Sequence, residues 1–172
     1  IAGGGGAGGG GSSKVKTSTF LKSNEIESLL SAWAGEFRRG VDILLTNEWP
    51  RGVVDGSGGT TPPLPPQLLL APRTATAAKY LRPRYHLAAL NNHHYQRPPY
   101  RNRDHHDDYV RRHTTRFIAL ANAFNSEKQK WLYAVNITPL KILDDATLFA
   151  EPVGTTDSPY LGAKIAQSSS TT

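Results

Sequence analysis

The sequence contains no cysteine, no methionine and no long apolar run. Without cysteine, the chain forms no disulfide bond and offers neither a thiolate metal ligand nor a cysteine nucleophile. No stretch reaches the roughly 18 apolar residues that a membrane-spanning helix needs. Walker-type glycine loops and G-x-S-x-G serines are absent too. A translated chain starts with methionine, so we expect that Ile1 is not the native start and that the sequence is a fragment, a processed form or a partial record.

Positive charge is in excess. The formal net charge is +6 and the isoelectric point is near 9.7. Nine arginines fall between Arg73 and Arg116, so the charge is clustered in the middle of the chain. This clustering favours an acidic partner, and nucleic acid is the commonest one. The alternative is a basic surface that serves only solubility.

Composition divides the chain into three parts. Residues 1–16 are rich in glycine, which predicts a flexible linker, and residues 161–172 are small and polar, which predicts a flexible tail. Residues 17–160 hold the folded domain. Within it, residues 51–79 are rich in proline and glycine and show little periodicity, so we expect a surface insertion. A plain spacer and a polyproline ligand for an aromatic groove are both compatible with that composition.

The clearest helical pattern lies just before Gly40. Its apolar residues repeat at the spacing of one helical face, and they are Ile26, Leu29, Leu30, Trp33 and Phe37. Asn24 is predicted as the N-cap, and Gly40 is predicted as the left-handed residue that ends the helix.

Four apolar runs predict strands, at residues 41–46, 84–90, 114–121 and 130–140. The first follows the helix directly and should be buried, which is typical of an α/β fold. The last two have a connection short enough for an antiparallel hairpin.

All six histidines lie between His86 and His113, and "RDHHDDY" at 103–109 adds aspartates. Imidazole and carboxylate together suit Zn, Mn or Fe. However, a metal site needs ligands that converge from separate elements, and a solvated loop has the same composition. Asn47 and Glu48 follow the first strand, where α/β proteins place their chemistry, although a simple turn also explains them.

The stretch "YQRPPYRNR" interleaves tyrosine with arginine. Tyrosine rings stack on bases while guanidinium groups bind phosphates, but the same residues are enriched at protein interfaces. RNA and protein therefore both remain candidate partners. The candidate contact residues are Tyr95, Arg97, Tyr100, Arg101, Arg103, Arg111, Arg112 and Arg116.

Several motifs together resemble the CwfJ-type, or Cwf-nineteen-like, family of splicing factors. They are "GVDILLTNEWPRGV", "LRPRYHLAAL", "YQRPPYRNR", "TRFIALANAFNSEKQKWLYAVNITPL" and "SPY". The resemblance runs from Thr17 to Tyr160, apart from 51–79 and 103–112. It implies an α/β fold that is the second half of a metallophosphoesterase-like αββα sandwich, with the first half preceding this chain.

The wider superfamily includes the enzyme that hydrolyses the branched bond of intron lariats. Its strand-end motif reads serine, histidine, aspartate, tryptophan, proline, whereas this chain reads "TNEWP", so Asn47 replaces a metal-binding histidine. Two further histidines of that enzyme match Leu90 and Asn92. The resemblance therefore implies a pseudo-enzyme that holds no metal cofactor.

The resemblance also implies a role. It is that of a nuclear, spliceosome-associated scaffold without a membrane anchor, acting around the intron-lariat stage and lariat turnover. Its implied partners are spliceosomal proteins, the lariat-debranching enzyme and RNA, either intron lariat or small nuclear RNA. Two alternatives stay open. One is a metal-dependent phosphodiesterase or ribonuclease that uses His93, His94, His105 and Asp107, and the other is a simple basic RNA-binding module.

Overall fold

The computed structural model describes residues 23–58, 64, 65, 67–102 and 113–160. In chain order, the elements are α1 (Ser23–Glu36), β1 (Val41–Thr46), β2 (Trp49–Pro50), β3 (Leu70–Ala71), α2 (Pro72–Leu81), β4 (Pro83–Ala88), β5 (Tyr95–Gln96), β6 (Tyr100–Arg101), β7 (Thr114–Ala119) and α3 (Asp145–Leu148). The predicted α/β class is confirmed.

The main sheet has a parallel centre and an antiparallel margin. Strands β1, β4 and β7 are parallel and lie in that order. The short strands β5 and β6 both pair with β7 in the antiparallel sense. Strands β2 and β3 form a separate parallel pair. In this order the carboxyl ends of β1, β4 and β7 meet at one edge of the sheet.

Three of the four predicted strands are confirmed, with ends shifted by at most two residues. The fourth is wrong, because residues 130–140 form no strand in the structure. Strand β7 already has β4 on one side and β5 with β6 on the other, so no edge is left for a hairpin partner. The segment is held instead at its two ends, where Ala121 N donates to Lys130 O (3.0 Å) and Leu140 N donates to the Asp42 carboxylate (2.9 Å).

The predicted insertion at 51–79 also needs correction, because α2 begins inside it at Pro72. Proline is favourable in the first turn of a helix, where its missing N–H costs no hydrogen bond. The buried residues Thr74, Ala78 and Leu81 repeat at helical spacing. Thr74 is polar, so an apolar count does not detect this face.

The apolar faces of α1 and β1 are more exposed than predicted. In α1 only Leu30 is buried, because the helix packs mainly against α2. Ile43 and Leu45 of β1 are 46% and 72% exposed, since β1 is the edge strand of the described sheet. Asn24 lies inside α1 rather than at its cap. Gly40 is left-handed as predicted, with φ of +88°.

The core lies between the sheet and α2, and it is mainly aromatic. Trp49 is fully buried, and its ring centroid lies 5.6 Å from that of Tyr95 and 5.7 Å from that of Phe117. Tyr100 and Tyr160 extend the same cluster. These rings fix the loop after β1 against β5 and β7, and so they shape the carboxyl edge of the sheet.

Candidate functional site at the carboxyl edge of the sheet

The loops after β1 and β4 are joined at the carboxyl edge. Ala89 N donates to Asn47 O (3.2 Å), and the indole Nε1 of Trp49 donates to Ala89 O (3.1 Å). Because β1 and β4 are parallel neighbours, the residues that follow their carboxyl ends lie close together. The structure thus places the three predicted positions, Asn47, Leu90 and Asn92, on two adjoining loops.

The asparagine side chains in the loop after β4 link neighbouring loops by hydrogen bonds. The Asn92 side-chain oxygen accepts a hydrogen bond from Asn122 N (2.9 Å). Asn91 bonds both backbone groups of Leu69, at 2.9 Å and 3.3 Å. Leu90 and Asn92 have φ of +66° and +45°, a conformation that asparagine tolerates better than most residues. The loop is therefore held in place by hydrogen bonds to the segments around Leu69 and Asn122.

His86 is a core histidine. The Thr46 hydroxyl donates to Glu48 O (2.9 Å), so it must accept the bond from His86 Nε2 (2.9 Å). His86 is fully buried, and this burial lowers its pKa to about 3. The ring is consequently neutral at physiological pH. Its protonated nitrogen faces Thr46, and its edge meets the Phe117 ring at 5.3 Å between centroids.

His93 and His94 lie between the carboxyl edge and the core. The Nδ1 of His94 lies 2.8 Å from Ala119 O and donates to it, because a carbonyl only accepts. The His93 ring packs near Trp49, 6.4 Å between centroids, and its Nε2 is buried without a hydrogen-bond partner. In the part of the chain that the structure describes, no three histidine or carboxylate side chains come together as a metal site. His105 and Asp107 lie outside the described residues.

The predicted tyrosine and arginine contacts are largely internal. Tyr95 and Tyr100 are buried in the aromatic core, so their faces are not open to stacking on bases. Arg97 is 1% exposed and donates to the Thr156 hydroxyl (3.1 Å) and to Asp157 O (3.3 Å). In this fold these three side chains therefore have almost no exposed surface with which to contact RNA or protein. The sequence pattern reflects a stacked core instead.

The remaining arginine candidates differ from one another. Arg101 is ion-paired with Glu151 (2.9 Å) and Asp157 (3.3 Å). Arg116 is half-buried, and its one hydrogen bond in the described residues is a long one of 3.5 Å to the Tyr85 hydroxyl. Arg103, Arg111 and Arg112 lie outside the described residues. Tyr85 was missed, because its register with Arg116 joins strands about thirty residues apart and leaves no local signal.

None of the described helices is long and apolar enough to cross a membrane.

No protein-family model matches the chain. The human protein "CWF19-like protein 1" is 43% identical over 122 residues, which is 71% of this chain and 22% of that protein. The Caenorhabditis elegans "CWF19-like protein 1 homolog" is 41% identical over 146 residues, 83% of this chain and 26% of that protein. The rice "Zinc finger CCCH domain-containing protein 59" is 40% identical over 125 residues, 70% of this chain and 19% of that protein. The chain thus spans about a fifth to a quarter of the curated relatives that it matches. It has no cysteine, so nothing in it corresponds to the cysteine ligands of a CCCH zinc finger.

Proposed function

The chain belongs to the Cwf19/CwfJ family, and from this premise we propose that it is part of a nuclear pre-mRNA splicing factor. In this proposal the chain is a metallophosphoesterase-like scaffold whose metal site has degenerated. It acts around the intron-lariat spliceosome and in lariat turnover, and it binds rather than cleaves.

The observation that carries this proposal is the set of residue types at the carboxyl edge of the sheet. A two-metal phosphoesterase holds its ions roughly 3.5–4 Å apart with imidazole and carboxylate ligands. At the three matching positions this chain has asparagine, leucine and asparagine. The Asn92 side chain is already bonded to Asn122 N, and the loop backbone is tied to Asn47. The Asn92 side chain and the Asn47 backbone therefore link loops to one another, which supports the proposal of a degenerate site.

The proposed partners are spliceosomal proteins, the lariat-debranching enzyme and RNA, either intron lariat or small nuclear RNA. The net charge of +6 supports an RNA contact. Since Tyr95, Arg97 and Tyr100 are internal, that contact would use Arg116, which is half-buried. The exposed apolar side chains of β1, Ile43 and Leu45, offer a protein-binding edge.

The competing function is a metal-dependent phosphodiesterase that uses His93 and His94 with His105 and Asp107. Among the described residues, the buried Nε2 of His93, which has no hydrogen-bond partner, favours it. Against it, no third histidine or carboxylate joins His93 and His94 in the part of the chain that the structure describes.

Calorimetric titration of the chain with Mn²⁺ and with Zn²⁺ separates the two functions. We expect no stoichiometric binding by the wild-type chain and no chelator-sensitive hydrolysis of a phosphodiester. A variant that restores two histidines, Asn47→His with Asn92→His, should bind Zn²⁺ at least about tenfold more tightly, because two imidazoles then share one edge. The control is Asn136→His, an exposed asparagine of the extended segment.

Stoichiometric binding and chelator-sensitive hydrolysis by the wild-type chain, both lost in His93→Ala, would establish the phosphodiesterase instead. A restored variant that binds no better than Asn136→His would show that the two asparagines do not mark a former site.

A further inference from the structure

A cleft of about 220 Å³ lies on the face of the sheet that α2 does not cover. His86 of β4 and Phe117 of β7 face the core with α2. Side chains alternate between the two faces of a strand. Tyr85 and Arg116, which precede them and pair in register, therefore face the other side of the sheet. The residues that line the cleft include Tyr85, Arg84 and Arg116, together with Thr147 and Leu148 of α3.

Two guanidinium groups lie near one tyrosine ring in the lining of the cleft. The guanidinium carbons of Arg84 and Arg116 each lie 5.9 Å from the centroid of the Tyr85 ring. The charge of Arg84 is balanced by Asp42, at 3.1 Å. Arg116 has no carboxylate partner among the described residues. One positive charge is therefore left over at the wall of the cleft.

The size of the cleft restricts what it can hold. Clefts for drug-sized ligands measure roughly 300–1,000 Å³, so this one fits a single small group. A guanidinium presents a planar fork of N–H donors that matches two oxygens of a phosphate. The hydroxyl-bearing residues Tyr85, Thr114 and Thr147 also line the cleft.

We propose that this cleft binds a phosphate group of single-stranded RNA, with Arg116 as the residue that contacts the phosphate. The proposal rests on the RNA contact in the proposed function, and it assigns that contact to a place. RNA is favoured over an acidic peptide because RNA carries a phosphate at every nucleotide, and the net charge of +6 attracts such a polyanion. A flexible single strand can direct one phosphate into a narrow cleft.

The test is the affinity of the chain for a short, fluorescently labelled single-stranded RNA, measured by anisotropy at several salt concentrations. Arg116→Gln should weaken binding by about tenfold and reduce the salt slope by about one. The matched control is Arg73→Gln, which removes the same charge from an exposed site on α2, across the sheet. It should change the affinity by less than about twofold.

Inorganic phosphate supplies a second measurement that needs no variant. Titrated into the wild-type chain and followed by two-dimensional NMR, it should shift the Arg116 and Tyr85 signals and should compete with the RNA. Equal losses of RNA affinity in Arg116→Gln and Arg73→Gln would refute phosphate binding at the cleft, and so would the absence of phosphate-induced shifts at Arg116 and Tyr85. Either result would leave a diffuse RNA contact in place. Absence of any RNA binding would refute the RNA contact itself. Binding of an acidic peptide at the cleft without RNA binding would make it a protein site.

Discussion

Replacing Trp49 with alanine should lower the free energy of unfolding by about 3–5 kcal/mol, the cost of removing a large buried ring from a packed core. Trp49 is fully buried against Tyr95 and Phe117, and its indole N–H donates to Ala89 O. The change would therefore leave a cavity and remove the indole hydrogen bond to Ala89 O, which keeps only its bond from Asn91 N (2.8 Å). Chemical denaturation of the chain, followed by circular dichroism, measures the loss.

The control is Trp131→Ala. Trp131 is 40% exposed and lies in the extended segment that pairs with no strand, so its loss should cost less than about 1.5 kcal/mol. Similar losses in the two variants would mean that the aromatic cluster around Trp49 does not hold the carboxyl edge together.

Replacing Gly40 with alanine should cost more than about 2 kcal/mol. Its φ of +88° is a left-handed conformation that disfavours any side chain by about 1–2 kcal/mol. The added methyl group would also meet Arg82 O and lie 2.8 Å from His113 Cε1. His113 itself bonds Arg82 O at 2.8 Å, so no free space is available for an adjustment. The same denaturation experiment reports the loss.

Gly35→Ala is the matched control for Gly40→Ala. Gly35 lies within α1, and a methyl group there would meet nothing within 4 Å. Alanine favours the helix, so this variant should gain about 0.5–1 kcal/mol. If Gly40→Ala were as stable as Gly35→Ala, the tight passage from α1 into β1 would not be required by the fold.

The sequence predicts the parallel centre of the sheet well, because its three strands are short apolar runs with clear ends. It fails at residues 130–140, where Trp131, Tyr133 and Val135 have strong strand propensity but β7, the predicted hairpin partner, is already paired on both sides. Propensity is local, whereas the number of open edges depends on the whole fold. Helix α2 was missed for a related reason, since a buried threonine does not register as apolar.

The candidate site was predictable only in part. The positions of Asn47, Leu90 and Asn92 follow from the rule that parallel strands end at one edge, together with the resemblance. The burial of Tyr95, Arg97 and Tyr100 was not predictable, because an aromatic and arginine pattern is common to binding loops and to stacked cores. The Tyr85–Arg116 pair depends on the register between β4 and β7, and that register cannot be derived from the spacing of residues in the sequence.

The carboxyl edge and the phosphate cleft lie at different places on the same strands. Asn47 and Leu90 follow the ends of β1 and β4, whereas Tyr85 lies near the start of β4 and pairs in register with Arg116 of β7. The proposed anion site therefore does not depend on whether the carboxyl edge binds a metal. This separation means that variants of the cleft need not disturb the edge.

The most direct test of the proposed scaffold role is purification of the tagged protein from nuclear extract, with identification of the bound proteins and sequencing of the bound RNA. The proposed role predicts that late spliceosomal proteins, their small nuclear RNAs and excised introns are recovered with the protein. We also expect Arg116→Gln to reduce the recovery of introns more than Arg73→Gln does. Recovery of the protein without spliceosomal components, or with RNA scattered evenly across the transcriptome, would contradict the account.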